Sequence, residues 1–348
     1  MENRITFSTK ITILSFLLSI GVVYQHTVWR YTENVLLNSA HSFLFYIIQT
    51  CVPFFFVISG YLFYRTFNIT KIKDKLLSRI RSLLIPYIIW NLIYAVFMIT
   101  LTTMGFIQNA NIERSVLGVI FQWINSSFSP LWFLKYLMIF VIISPIMYFM
   151  LKDKILGIIT LIILILANIF FYYSGIMETP LDVNANNVVM LNYQYIFYAV
   201  GAYAALNLKK LIETPSRKKS YIALGVIVVL FLLYFFNVLG THDVIINHTF
   251  RLVYACALWF LLDLLPEIKI QGWMKNSFFI YCSHLMLLQC AQAISEIIIW
   301  HTGKYEAVLE VAEYILLPQL IVIIILLFAN VFKRGFPRVW EIITGSRG

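Results

Sequence analysis

The chain has 348 residues, 61% of them apolar and only 12% charged, about half the charge of an ordinary soluble domain. So little polar surface cannot cover so much apolar surface in water, which excludes a soluble multidomain enzyme and a disordered chain. The net charge of +10 fits either a nucleic-acid binder or a membrane protein with basic cytoplasmic loops, and the positions of the charges decide between them.

A bilayer core about 30 Å thick takes about 20 apolar residues per helix. Such stretches run near 11–29, 41–63, 83–104, 131–151, 155–174, 188–207, 221–239, 250–265, 277–299 and 314–332. The first is long and lacks a small-residue cleavage site, so it reads as a retained span and not a signal peptide. The expected fold is all-α: a polytopic bundle of about ten transmembrane helices, one domain over 1–348 with no separate soluble part. Placing the N-terminus inside puts all but five of the 26 basic residues in cytoplasmic segments. The five are Arg30, Arg114, Lys135, Arg251 and Lys304. Basic residues favour the cytoplasmic face, so both termini are expected there and the charge reads as topology. No nucleic-acid partner is expected; the bilayer is. The longest external segment, 105–130, carries Trp123 and Phe128, with Trp132 just beyond, residues suited to the interface.

Cys51, Cys256, Cys282 and Cys290 all fall in spans without a CxxC pair, and read as small buried apolar residues. No metal site, phosphate-binding glycine loop or serine-nucleophile motif is present. Attention therefore turns to polar groups inside spans, each of which costs about 2.5–3.5 kcal/mol on insertion scales. On the first span Thr12, Ser15, Ser19, His26 and Arg30 recur at helical spacing and share one face. His26 has two readings: a histidine bonded to a neighbouring helix, or a general base, since imidazole titrates near neutrality. Lys135, Arg251 and Glu296 project to the same outer depth. Singly, each is explained by snorkelling or a structural ion pair. Together with His26 and Arg30 they would line an outward-facing polar cavity. Asp263 reads as interfacial, His284 sits in the inner half of the ninth span, and His242, His248 and His301 read as solvated.

The inner loop after the second span holds Lys71, Lys73, Lys75, Arg79 and Arg81. Positive-inside bias and contact with anionic lipid explain such a run. Two guanidinium groups at a membrane mouth also suit phosphate oxygens, so the Arg79/Arg81 pair has a second reading as a dock for a phosphate-rich donor.

These residues, in this order, resemble the acyltransferase family 3 membrane proteins, which include bacterial polysaccharide O-acetyltransferases. The resemblance rests on His26, on Phe54–Leu62 (FFFVISGYL), on Arg79–Tyr87 (RIRSLLIPY) with Trp90-Asn91, on Pro130–Leu134 (PLWFL), and on Ser277–Tyr281 (SFFIY) with His284. It covers most of the chain and looks most like the shorter ten-span members. It implies transfer of an acyl group, acetyl foremost, from cytoplasmic acyl-CoA to a hydroxyl of a surface glycan or lipid-linked sugar in a bacterial cell membrane. His26 would then be catalytic, Arg79 and Arg81 would hold the donor, and Arg30, Lys135, Arg251 and Glu296 would be acceptor-side candidates. Acyl-CoA enters as donor substrate, with no bound cofactor or metal, and glycan-assembly proteins join the glycan as expected partners. Eleven residues before His26, where the family pattern has Arg, this chain has Ser15. The alternative reading is a transporter or flippase built on the same membrane module.

Overall fold

A computed structural model describes residues 4–30, 32–105, 130–174, 188–236, 244–302 and 307–346. Arg114, Trp123, Phe128, His242 and Lys304 therefore lie outside the described residues, as do the side chains of Glu296, His248 and His301. The helices in chain order are α1 (Phe7–Gln25), α2 (Val35–Ile48), α3 (Cys51–Tyr64), α4 (Ile72–Arg79), α5 (Ile85–Thr103), α6 (Trp132–Ile142), α7 (Ser144–Leu151) and α8 (Lys154–Tyr173). They continue as α9 (Val188–Asn207), α10 (Lys209–Glu213), α11 (Arg217–Phe235), α12 (Val244–Leu261), α13 (Ser277–Thr302), α14 (Ala307–Gly335) and α15 (Pro337–Thr344). No strand occurs among the described residues, and the protein is an all-α polytopic membrane bundle.

Each of the ten apolar stretches coincides with a helix or a helix pair. Among the described residues seven segments are long and apolar enough to cross a membrane. An eighth is α6 with α7, bent by 66° where Ser144-Pro145 opens the second helix. A proline early in a helix ends the preceding one because it cannot donate to its ladder. The helices at 188–207 and 250–265 are more polar in composition. Helix α9 carries Asn192, Gln194 and four tyrosines, and α12 carries Asn247 and Arg251. These groups are tolerated because much of both helices is enclosed by protein, with Tyr193 through Ala199 all buried. By contrast, α8 exposes Ile155, Ile158, Ile162 and Leu166, an apolar face that suits lipid and not water.

The chain forms two compact units. The first comprises Met1–Ser15, Thr50–Leu76 and Ile139–Ile270, and the second Phe16–Gln49, Leu77–Met138 and Gln271–Gly348. In the first unit, α3 and α9 touch backbone to backbone. A side-chain carbon at Gly201 would lie 1.9 Å from the Val57 carbonyl oxygen, and one at Gly60 would lie 2.1 Å from that of Tyr198. Only glycine permits this approach, which is how membrane helices gain close packing without a hydrophobic drive. The same unit holds α1 at its start: Thr6 accepts from the Thr9 N–H at 3.2 Å, and Glu267 takes the Thr9 hydroxyl at 2.6 Å. In the second unit, α15 ends on the left-handed Gly345 (φ +62°), where a side-chain carbon would lie 2.5 Å from the Ser82 carbonyl oxygen. Trp90 donates its indole N–H to the Ile343 carbonyl at 2.9 Å, fixing α15 against α5.

Candidate active site

His26 was expected on a helical face shared with Arg30, but α1 stops one residue before it. The last turn tightens, with His26 N–H bonding Val23 at 3.1 Å and Thr27 N–H bonding Tyr24 at 3.2 Å. The Thr27 hydroxyl also donates to the Val23 carbonyl at 3.0 Å, giving it a second hydrogen bond as the helix ends. Leaving the helix is favoured further on, where the Arg30 backbone N–H donates to the Glu310 carboxylate. Upstream, the hydroxyls of Thr12 and Ser19 turn back onto their own helix, at Ser8 and Phe16. The polar stripe is thus partly self-satisfied, and its end becomes a separate, folded-out segment.

That segment meets α13. The His26 ring lies with its centroid 5.3 Å from that of His284, tilted by 42°. His284 is fully buried, with Nδ1 2.8 Å from the Tyr281 carbonyl and 3.2 Å from that of Ile280. Two turns further along α13, Gln292 donates to the His26 carbonyl at 3.3 Å. Tyr281 itself donates its hydroxyl to the Pro130 carbonyl at 2.5 Å and meets Phe133 edge-on at 5.7 Å. Buried Tyr94 of α5 donates to the Cys282 carbonyl at 3.0 Å. Segments widely separated in sequence, around His26, Pro130 and Tyr94, are therefore pinned to α13.

Arg30 lies 3.2 Å from Glu313 and 3.7 Å from Glu310, whose side chain is buried, and Ser295 donates to Glu313 at 2.9 Å. Beside this network stand three rings. Trp29 stacks on His41 at 4.5 Å and 4°, and Tyr314 meets His41 edge-on at 4.7 Å. Asn38 accepts the Trp29 indole N–H at 3.3 Å. Sequence reasoning missed Glu310 and Glu313 because they precede the last apolar stretch and look like loop acids. Their spacing of three, on a helix that starts back at Ala307, was the available signal.

The other expected site residues fall as follows. Lys135 is half-buried on α6. Arg251 belongs to the first unit, buried on α12, where it donates to the Tyr193 hydroxyl. Glu296 lies on α13 with its side chain outside the described residues. Arg79 is the half-buried last residue of α4, and Arg81 is exposed on the π-helical turn Ile80–Leu84 that follows. Such turns are rare and recur at functional sites. Asp263 is buried in protein, 2.6 Å from the buried Lys10, and accepts the Ser216 N–H at 3.0 Å. Removing either partner of a pair this deep would leave the other buried and uncompensated.

The protein is thus an all-α membrane bundle in which His26 and His284 lie side by side. The family model described as an acyltransferase domain, that of acyltransferase family 3, matches residues 10–332. The chain therefore belongs to this family and is a membrane acyltransferase. No curated protein and no solved structure matches it.

Proposed function

We propose that the protein moves an acyl group, acetyl foremost, from cytoplasmic acyl-CoA to a hydroxyl of a surface glycan or lipid-linked sugar, in a bacterial membrane with both termini cytoplasmic. The observation that carries this reading is the His26 imidazole, held by ring and backbone against α13 at the end of a span. In the reaction, His26 takes the proton of the acceptor hydroxyl as its oxygen attacks the thioester carbonyl. The tetrahedral intermediate then collapses, the C–S bond breaks, and the proton passes to the departing CoA sulfur. Arg79 and Arg81 bind the CoA phosphates through charge-assisted hydrogen bonds. Trp29 and His41, both only half-buried, support a sugar acceptor, because aromatic faces and edges pack on sugar C–H groups.

The test is acyl-CoA turnover by purified protein beside His26→Ala. A general base contributes typically about 10²–10⁴-fold, so kcat falls by that order while acyl-CoA still binds. Equal turnover in the two proteins removes His26 from the chemistry. Ser15 at the place of the family's arginine favours the second reading, a transporter or flippase on the same module. A transporter has no need to bind CoA, so saturable acyl-CoA binding separates the two.

A further inference from the structure

His284 is a buried titratable group that the acyl-transfer scheme leaves unused. Carbonyl oxygens only accept, so its contacts with Tyr281 and Ile280 place the ring proton on Nδ1. Nε2 then carries a lone pair, and no hydrogen-bond partner reaches it among the described residues although it is buried. Leaving a buried acceptor unsatisfied is expensive, and an orphan of this kind in a folded protein marks a partner or a ligand. The imidazolium form would place an unpaired charge in the same apolar wall, which is costlier still.

The group that lies close is His26. The two imidazole rings stand with centroids 5.3 Å apart, tilted by 42° and with no hydrogen bond between them, so a turn of the His26 ring is what brings its N–H onto Nε2. The other polar and charged groups pinned to this stretch are already engaged. Arg30 faces Glu310 and Glu313, the Tyr281 hydroxyl binds Pro130, the Tyr94 hydroxyl binds Cys282, and Ser295 binds Glu313. Gln292 fixes the His26 backbone from the same helix, so α13 controls both the position and the ring environment of His26.

We propose that His284 is the positioning partner of His26: a neutral imidazole locked with its proton on Nδ1, whose Nε2 accepts the His26 ring N–H and keeps the opposite His26 nitrogen as the proton acceptor. The arrangement orients a base through a third group, with an imidazole where a carboxylate more often stands. When His26 takes a proton, the new imidazolium donates to Nε2 and part of its charge is offset there. This inference rests on the reading of His26 as the base.

Two substitutions separate positioning from support. In His284→Asn the amide nitrogen replaces Nδ1 and keeps the backbone anchor, but nothing occupies the Nε2 position. In His284→Gln the longer amide offers an oxygen near Nε2. The expected result is that His284→Asn lowers kcat at least about tenfold with KM for acyl-CoA unchanged, while His284→Gln retains most of kcat. A second readout needs no turnover. Carbethoxylation of His26 by diethyl pyrocarbonate, followed by peptide mass analysis, slows in His284→Asn and stays near the wild-type rate in His284→Gln. Equal loss in both folded variants, or wild-type kcat and wild-type carbethoxylation in His284→Asn, overturns the proposal. Should His284→Asn fail to fold, His284→Gln decides alone: near-wild-type values support the pairing, and a folded but inactive form overturns it. A wild-type protein that transfers no acyl group defeats the base reading, and the carbethoxylation comparison still judges the pairing.

Discussion

Arg81 and Glu213 show how differently two charged residues can be used. Arg81 is exposed on a π-turn, with its neighbour Arg79 half-buried at the end of α4. Arg81→Ala is expected to raise KM for acyl-CoA about tenfold with little change in kcat, since a charge-assisted phosphate contact is worth about 1.4 kcal/mol or more. Because the contact is exposed, added salt should raise the wild-type KM and narrow the difference. Glu213 is structural. It lies 2.6 Å from Arg65 and accepts the Tyr61 hydroxyl at 2.9 Å. Burial alone would raise its carboxyl, but the hydrogen bonds from Arg65 and Tyr61 and the charges of Arg65 and Lys209 outweigh that, holding it below its ordinary value. A depressed folded-state value means the stabilisation is present above the unfolded carboxyl's value, about 4.3, and is lost as pH falls through the folded one. The thermal midpoint in detergent should therefore drop on acidification below about pH 4, and Glu213→Gln should show a smaller acid drop from a lower neutral-pH midpoint. Identical acid profiles would remove Glu213 from the stability of this unit.

Between α3 and α9 the fold depends on what is missing from Gly60 and Gly201. Gly201→Ala places a carbon where the Val57 carbonyl stands, and no rotamer relieves a backbone clash. The helices must separate, at a cost of about 1–3 kcal/mol or more, read as a lowered unfolding midpoint in detergent. An unchanged midpoint would mean that the two backbones do not approach as described. At this scale the sequence was informative about where helices lie and poor about where they break. Composition located every apolar stretch, because lipid demands it. It did not show that 41–63 is two helices meeting at Gln49-Thr50, nor the π-turn at Ile80–Leu84, since hydrogen-bond register leaves no trace in an average over apolar residues. The end of α1 was missed for a related reason. Helical spacing linked His26 to Arg30, whereas the chain leaves the helix to reach Glu310 and Glu313, some 280 residues away. His26 itself was legible as a polar group in an apolar span, but its partner on α13 was only a histidine in a span until the two rings were placed together.

For the molecule as a whole, charge distribution and family membership bear on the same question, which is the direction of the reaction. The proposed orientation places nearly all basic residues on one side, the Arg79/Arg81 turn among them. His26, at the far end of the first span from Lys10, is read on the other. A 19-residue helix is about 28 Å long, so on the proposed reading Lys10 and His26 stand near opposite ends of one span. In the proposed reaction the pantetheine arm of CoA is the part of the donor that reaches inward from the donor phosphates toward His26. The replacement of the family's arginine by Ser15 removes one charge along that path, and Lys10 is paired with Asp263. The most direct test uses the purified protein in proteoliposomes, with labelled acyl-CoA supplied on one face and a glycan acceptor on the other. The account predicts acyl label on the glycan with one free CoA released on the donor side for each acyl group moved. Intact acyl-CoA, with unmodified glycan or sugar carried across the bilayer, would contradict it.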